Sequence, residues 1–327
     1  MKKITELLKA IQAKRGELEL LGGIALGKQT KLDEWELVEL TYTSNAIEGN
    51  TLSRAETALV ISDEVTVAGK SIREHQEAVN TAAAWEWVKE RVDNKPGIVL
   101  DNSSLLHLHE IVLRNIDNQN AGKYRNVAVR IAGSRTVLPN PAKVPTLMQS
   151  FWSWLGTESE AIERAVEAHY KLVTIHPFTD GNGRTARLVM NLILRASGYP
   201  PIIIRKEDRG EYLTSLEIAQ TGGSKERCLT LMLTSLLASL DRYFDALNKS
   251  ENTTPDKLMM IGKLARGAGE SVATIRHWVA MGIIPVKQVS AGGYQLFEPR
   301  MVERAKQVRQ MQKKKRYSLE EIRKELG

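Results

Sequence analysis

The stretch His176-Pro177-Phe178-Thr179-Asp180-Gly181-Asn182-Gly183-Arg184-Thr185-Ala186-Arg187 decides how the rest of the chain reads. Gly181 and Gly183 flank Asn182, so the backbone there can bend tightly and come close to a ligand. Successive N–H groups in such a turn form an anion-binding nest. Arg184 to Ser197 follows with helix formers and apolar residues at helical spacing, stopped by Gly198, Pro200 and Pro201. The turn therefore opens a helix, and a helix N-terminus of this kind favours phosphate. Arg184 and Arg187 are three apart and project near that N-terminus on neighbouring faces. Asp180 is a hard oxygen ligand suited to Mg²⁺ held against phosphates. His176 can take a hydroxyl proton near neutral pH. Together these residues suit one task, holding a nucleotide polyphosphate beside a base.

The stretch resembles the Fic family, whose pattern His-x-Phe-x-Asp/Glu-Gly-Asn-Gly-Arg-x-x-Arg it matches at every fixed position. The resemblance implies a helical Fic fold and transfer of a nucleoside monophosphate, usually AMP from ATP, onto a protein hydroxyl. It implies His176 as base, Asp180 as Mg²⁺ ligand and the Gly181-Asn182-Gly183 turn as phosphate cradle. Arg184 and Arg187 would hold the outer phosphates. Tyr212, on a helix over 208–216, either lines the adenine site or is a buried core residue.

Upstream, Ser44-Asn45-Ala46-Ile47-Glu48-Gly49 ends a predicted helix over 31–47. Ser44 and Glu48 are four apart and share a helical face. A Glu near a helix C-terminus is unfavourable for the helix dipole, so something else favours it. The segment resembles the Ser/Thr-x-x-x-Glu-Gly/Asn pattern that marks an inhibitory helix in Fic proteins. The resemblance implies that Glu48 pairs with Arg187 and occupies the guanidinium needed for the γ-phosphate, a charge-assisted contact strong enough to bias the site.

Working outward, helical patterns cover 4–21, 53–92, 103–115, 145–155, 159–174 and 229–247, with breaks at Gly22-Gly23 and Pro96-Gly97. His107 and His109 are two apart and do not share a helical face, so they read as structural or surface histidines rather than a metal pair. Val127, Val129 and Ile131 alternate with Ala128 and Arg130, and Thr136 to Leu138 returns after Ala132-Gly133-Ser134. That predicts a β-hairpin. Its place before the loop resembles the Fic flap, which holds a target segment extended by strand addition.

Of the 327 residues 42% are hydrophobic, and the formal net charge is +7. From Pro255 to Gly327 there are 15 Lys and Arg against 7 Asp and Glu, a balance of +8 that leaves −1 for the residues before it. The basic excess is confined to the C-terminal segment and points to nucleic acid there alone. The single cysteine, Cys228, allows no internal disulfide and fits a reducing compartment. No apolar run reaches the roughly 18 residues of a membrane span. The N-terminus is no secretory signal, so a cytoplasmic protein away from membranes is expected.

Ser250-Glu-Asn-Thr-Thr-Pro255 reads as a linker. Beyond it, short helices over 260–266 and 271–282 surround a turn, with Ser271 as N-cap. A wing over Gly292 to Phe297 and helices over 299–312 and 318–326 follow. Thr274-Ile-Arg-x-Trp-x-x-x-Gly-Ile-Ile-Pro285 and Gly293-Tyr-x-Leu-Phe297 resemble the MerR winged helix-turn-helix. Gln295 departs from the basic residue that commonly follows the wing Tyr. Lys313 to Arg316 is a solvated run or a phosphate-contacting patch.

The expectation is a mainly α protein in three parts: a helical arm with the inhibitory motif (1–95), a Fic core with a small β-hairpin flap (96–250), and a winged helix-turn-helix (255–327). Its function would be Mg²⁺-dependent transfer of AMP from ATP to a Ser, Thr or Tyr hydroxyl of a target protein and of itself, restrained by Glu48. Duplex DNA is the expected partner of 255–327. Two alternatives stand beside this: a DNA-binding regulator whose Fic core senses nucleotide, and a Fic enzyme that removes AMP with Glu48 orienting a water.

Overall fold

Residues 2–20, 30–63, 65–94, 100–157, 160–250, 258–289, 295–314 and 317–326 are described in the computed structural model. The chain divides into two units, Met1–Ile61 with Thr66–Glu251, and Asn252–Gly327 with Ser62–Val65.

The first unit is helical: α1 (Lys2–Leu20), α2 (Thr30–Ile47), α3 (Arg54–Asp63), α4 (Ile72–Asn94), α5 (Asn102–Leu113), α6 (Val144–Leu155), α7 (Ala161–Ile175), α8 (Asn182–Ala196), α9 (Arg209–Gln220) and α10 (Glu226–Ser250). Every residue of α8 from Arg184 to Leu194 is buried. A helix covered all round must be central, and α8 packs against α7, α4, α5 and α2. Leu188, Val189, Met190 and Leu192 of α8 join Trp85, Leu108, Phe151 and Leu172 in the core.

The helix expected over 53–92 is two helices. Capping boxes start both. The Ser53 N–H donates to Glu56 Oε2 at 2.7 Å and the Glu56 N–H returns to Ser53 Oγ at 3.2 Å. Ser71 and Glu74 repeat the exchange at 2.9 and 3.2 Å. Such reciprocal caps satisfy the orphan N–H groups of a first turn and fix its start. α2 is anchored at Glu36, which is 0% exposed. Burial pushes the Glu36 carboxyl up to about 7 against the opposing pull of Arg195. Trp85 Nε1 donates to it at 2.9 Å, and the Tyr243 hydroxyl donates to its other oxygen.

The hairpin expected from the alternation over 127–131 and its return over 136–138 forms no cross-strand ladder. The segment turns at Ala132 and Gly133, where φ is 74°. Its donors find other partners: the Arg135 N–H reaches Glu217 Oε1 at 2.8 Å and Thr136 Oγ1 reaches Gln220 Oε1 at 3.1 Å, both on α9. The flap is thus a loop docked on a helix.

The second unit contains β1 (Met259–Met260), α11 (Ile261–Ala268), α12 (Val272–Ala280), β2 (Gln288–Val289), β3 (Gln295–Phe297), α13 (Met301–Lys314) and α14 (Leu319–Leu326). β3 lies between β1 and β2, antiparallel to both, with Met259 opposite Phe297 and Gln288 opposite Leu296. Its core is Leu264, Ile275, Trp278, Ile283, Phe297 and Ile322. Ser271 caps α12, accepting from the Thr274 N–H at 3.0 Å. β1 was not read from the sequence, being two residues long. The expected breaks at Gly22-Gly23 and Pro96-Gly97, linker residues 251–255, wing residues 292–294 and Lys315-Arg316 lie outside the described residues. Among the described residues no helix is long and apolar enough to cross a membrane.

Candidate active site

α7 stops at His176, whose backbone is left-handed (φ 52°, ψ 60°). Pro177 disfavours α geometry at the residue before it, which ends the helix there. A left-handed non-glycine residue costs about 1–2 kcal/mol, and such strain persists only where surroundings fix it. The His176 N–H still closes the helix onto Leu172 O at 2.8 Å. Its ring Nδ1 lies 3.2 Å from Val173 O, so Nδ1 carries the proton and donates. Nε2 is left with its lone pair. Burial, with a smaller push from the Arg125 cation, lowers the His176 pKa despite the Val173 bond and the Glu48 and Asp180 charges. The ring is therefore neutral and basic at Nε2 near neutral pH.

The loop behind it is closed by Asn182. Its amide Oδ1 accepts from the Phe178 N–H and its Nδ2 donates to Phe178 O, both at 2.9 Å. Asn182 is thus a brace, with its side chain used on the loop itself. Gly181 has φ 72°, and a Cβ there would meet Val112 Cγ1 at 3.2 Å, so only glycine fits comfortably. Asp180 Oδ1 accepts from the Gly181 N–H at 2.6 Å, and its Oδ2 accepts from Arg73 Nη2 at 2.6 Å. Burial opposes ionisation of Asp180, but the Arg184 and Arg73 cations and the Gly181 N–H outweigh it and hold the pKa below the usual carboxylate range.

Arg184 is 2% exposed. Its nearest carboxylate oxygens are Glu77 Oε1 at 3.5 Å and Asp180 Oδ1 at 3.6 Å, and its Nε and Nη1 make no hydrogen bond. Arg187 is the reverse. Its Nε donates to Ser44 Oγ at 3.0 Å, and its Nη2 donates to Ser44 O at 2.9 Å and Glu48 Oε1 at 2.7 Å. Glu48 thus meets the guanidinium expected for it, and Ser44, for which no partner was expected, meets the same group. Gly49 (φ 100°) lets the chain leave α2 just after Glu48. The carboxylate lies over the loop so closely that a Cβ on Gly183 would collide with Glu48 Oε1. Arg209 Nε holds the end of α2 through Ile47 O at 2.7 Å.

Tyr212 is the buried alternative. It is 2% exposed, burial pushes its hydroxyl up to about 12, and the hydroxyl lies 2.8 Å from His169 Nε2 and 3.4 Å from Arg187 Nη1. It offers no open ring face to a base. Arg73 and Arg125, which sequence reasoning missed, and His109, which it read as structural, also shape the site. Arg73 pairs with Asp180 from α4. His109 Nδ1 accepts from the Gly122 N–H at 3.0 Å, so its Nε2–H donates to Asp180 O at 3.0 Å, while its ring stacks on Phe178 at 3.6 Å. Burial drops the His109 pKa to about 4, so the ring stays neutral. Arg125 ties the flap to the loop. Spacing pointed to none of these roles.

The geometry can hold an anion, remove a proton and be blocked by a carboxylate. The model for the Fic/DOC family matches residues 99–194, and that for the MerR HTH family regulatory protein matches 259–327. A solved fragment of Caenorhabditis elegans Fic-1 is 34% identical, with a TM-score of 0.65, over 76% of this chain and 73% of that one. The chain belongs to the Fic/DOC family. Protein adenylyltransferase fic-1 of Caenorhabditis elegans is 39% identical over 215 residues, 64% of this Fic chain and 42% of that protein. Protein adenylyltransferase Fic of Aedes aegypti is 34% identical over 254 residues, 72% and 50% respectively. The Fic chain spans about half the length of the curated relatives it matches.

Proposed function

We propose that the Fic core transfers AMP from ATP to a hydroxyl of a target protein, and of itself, and that Glu48 restrains this reaction. The observation that carries the reading is a neutral His176, with its Nε2 lone pair left, on the same loop as Arg184, whose Nε and Nη1 make no hydrogen bond. A buried guanidinium with donors to spare favours an anion. The relatives named adenylyltransferases support AMP as the transferred group.

In this reading a Ser, Thr or Tyr oxygen attacks the α-phosphorus. Its proton passes to His176 Nε2, the bond to the pyrophosphate oxygen breaks, and pyrophosphate leaves. The loop N–H groups and Arg184 meet the developing charge, and Arg187 takes the γ-phosphate once Glu48 withdraws. Among the described residues no three His, Cys, Asp or Glu gather to hold a metal alone. Mg²⁺ needs no such cluster, since it binds through one or two carboxylates plus substrate phosphates. Asp180 is the carboxylate that would hold it, and the ion would neutralise phosphate charge. In the proposed division of labour the arm (1–95) restrains, the core (96–250) reacts, and the winged segment (255–327) binds duplex DNA. A reducing, cytoplasmic setting accords with the one buried free thiol, Cys228.

ATP labelled on its α-phosphate, given to the chain alone and with cell lysate, tests the core. His176→Ala should lower labelling by about 10²–10⁴-fold, with ATP binding and helix content kept. Labelling near wild type would remove His176 as base. For the winged segment, a gel-shift titration should show duplex binding that weakens with salt, roughly −0.9 in log K against log salt per phosphate neutralised. No shift at low salt with any sequence pool would turn the reading toward protein contact.

A further inference from the structure

Arg125 is 3% exposed and sits where the flap leaves the core. Its backbone N–H donates to Pro177 O at 2.8 Å. Its Nε donates to His176 O at 2.7 Å, its Nη1 to Val127 O at 3.1 Å and its Nη2 to Pro139 O at 2.7 Å. One side chain thus grips the chain at both ends of the flap, at Val127 and Pro139, and the carbonyl of the left-handed histidine. The bonds named here all go to backbone carbonyls. A buried cation served by carbonyls is expensive, and burial lowers the Arg125 pKa accordingly. Ordinary packing does not call for such a group. The planar guanidinium supplies rigid diverging donors, which a lysine ammonium cannot reproduce.

We propose that Arg125 is a positioning residue that locks both ends of the 126–138 flap to the backbone of His176, so that a hydroxyl presented along the flap meets Nε2 in register. The inference rests on the transfer reaction proposed above. It assigns Arg125 no contact with nucleotide. It couples the place where an acceptor docks to the place where its proton goes. A misplacement of about 1 Å in such a register can cost on the order of 10²-fold in rate.

Two substitutions separate the clamp from its charge. Arg125→Lys keeps a cation but cannot reach three carbonyls. Arg125→Met removes both. Besides burial, the groups that bear most on the His176 ring's protonation are the Val173 carbonyl, Arg125, Glu48 and Asp180. Of the charged ones, Arg125 alone lowers the ring's pKa, so its neutral replacement should raise that value and move the acid limb of a pH–rate profile to higher pH. The experiment uses the full chain with Glu48→Gly as parent, ATP labelled on the α-phosphate and self-labelling as readout. Both variants should slow labelling about ten- to a hundredfold with ATP affinity unchanged. Only Arg125→Met should shift the acid limb. In parallel, trypsin should cut the flap at Arg130 and Arg135 faster in both variants, and NMR titration of His176 should move only in Arg125→Met. These last two readouts need no activity, so they decide the clamp even if the parent transfers nothing. If Arg125→Met fails to fold, Arg125→Lys decides alone. Arg125→Lys with the parent's rate and protease protection would overturn the proposal, as would a loss confined to ATP affinity.

Discussion

Arg184 and Arg187 leave α8 three residues apart, both buried, and meet opposite surroundings. On the Arg184 side, α4 offers only Glu77 at 3.5 Å, and two guanidinium nitrogens have no hydrogen-bond partner. On the Arg187 side, α2 delivers Ser44 and Glu48, and α9 delivers Tyr212. At Arg184 an incoming anion competes only with the long ion pairs to Glu77 and Asp180, at 3.5 and 3.6 Å. At Arg187 it must remove a carboxylate. Under the proposed function, affinity and correct alignment are separable in this site: nucleotide would enter through the first half while the second half is still held by the protein.

Breaking the filled half should give the larger effect. Glu48→Gly frees Arg187 and clears the space above Gly183. Correct alignment of reacting groups is worth several kcal/mol, so labelling of the chain and of lysate proteins should rise about tenfold or more. Arg187→Ala should give no such gain, because it removes the proposed phosphate contact along with the proposed inhibitory pair. Mass spectrometry of AMP adducts on wild type, Glu48→Gly and Glu48→Gly/His176→Ala decides the matter. Equal labelling of wild type and Glu48→Gly would remove the restraint. Faster loss of pre-attached AMP from wild type would favour AMP removal with Glu48 orienting water.

The two halves also differ in how far they could be read. The loop is contiguous, so its glycines, carboxylate and arginines announce themselves by spacing. Ser44 and Glu48 lie 143 and 139 residues from Arg187, yet their own spacing marks a shared face. Arg73 reaches Asp180 across 107 residues, His109 across 71 and Arg125 reaches His176 across 51, with no local pattern to mark any of them. Tyr212 was left open because an aromatic on a helix is apolar whether it lines a cleft or fills the core. The break between α3 and α4 was legible in Ser53-x-x-Glu56 and Ser71-x-x-Glu74, since capping boxes mark helix starts. The flap misled because alternation describes side chains, while a ladder depends on where backbone donors go.

The Arg184 half carries a lesser hindrance, and it should give the smaller effect. Arg73 Nη2 sits 2.6 Å from Asp180 Oδ2, on the carboxylate proposed for Mg²⁺, with 58% of its side chain exposed. Exposed ion pairs are worth about 0.2–1 kcal/mol, which corresponds to a factor of roughly 1.5–5 in an equilibrium. Removing that competitor should strengthen divalent cation binding by the same factor. Arg73→Ala should therefore tighten Mn²⁺ binding in the presence of ATP by roughly 1.5- to 5-fold, read directly by the loss of free-ion signal in electron paramagnetic resonance. The gain should fade near 1 M salt, where the Debye length is about 3 Å and an exposed pair is screened. The Glu48→Gly gain should survive the same salt, because Arg187 is buried and its pair is screened far less. Weaker Mn²⁺ binding in Arg73→Ala would make Arg73 a helper of the site rather than a competitor. Equal salt sensitivity of the two gains would collapse the distinction between an open half and a closed one.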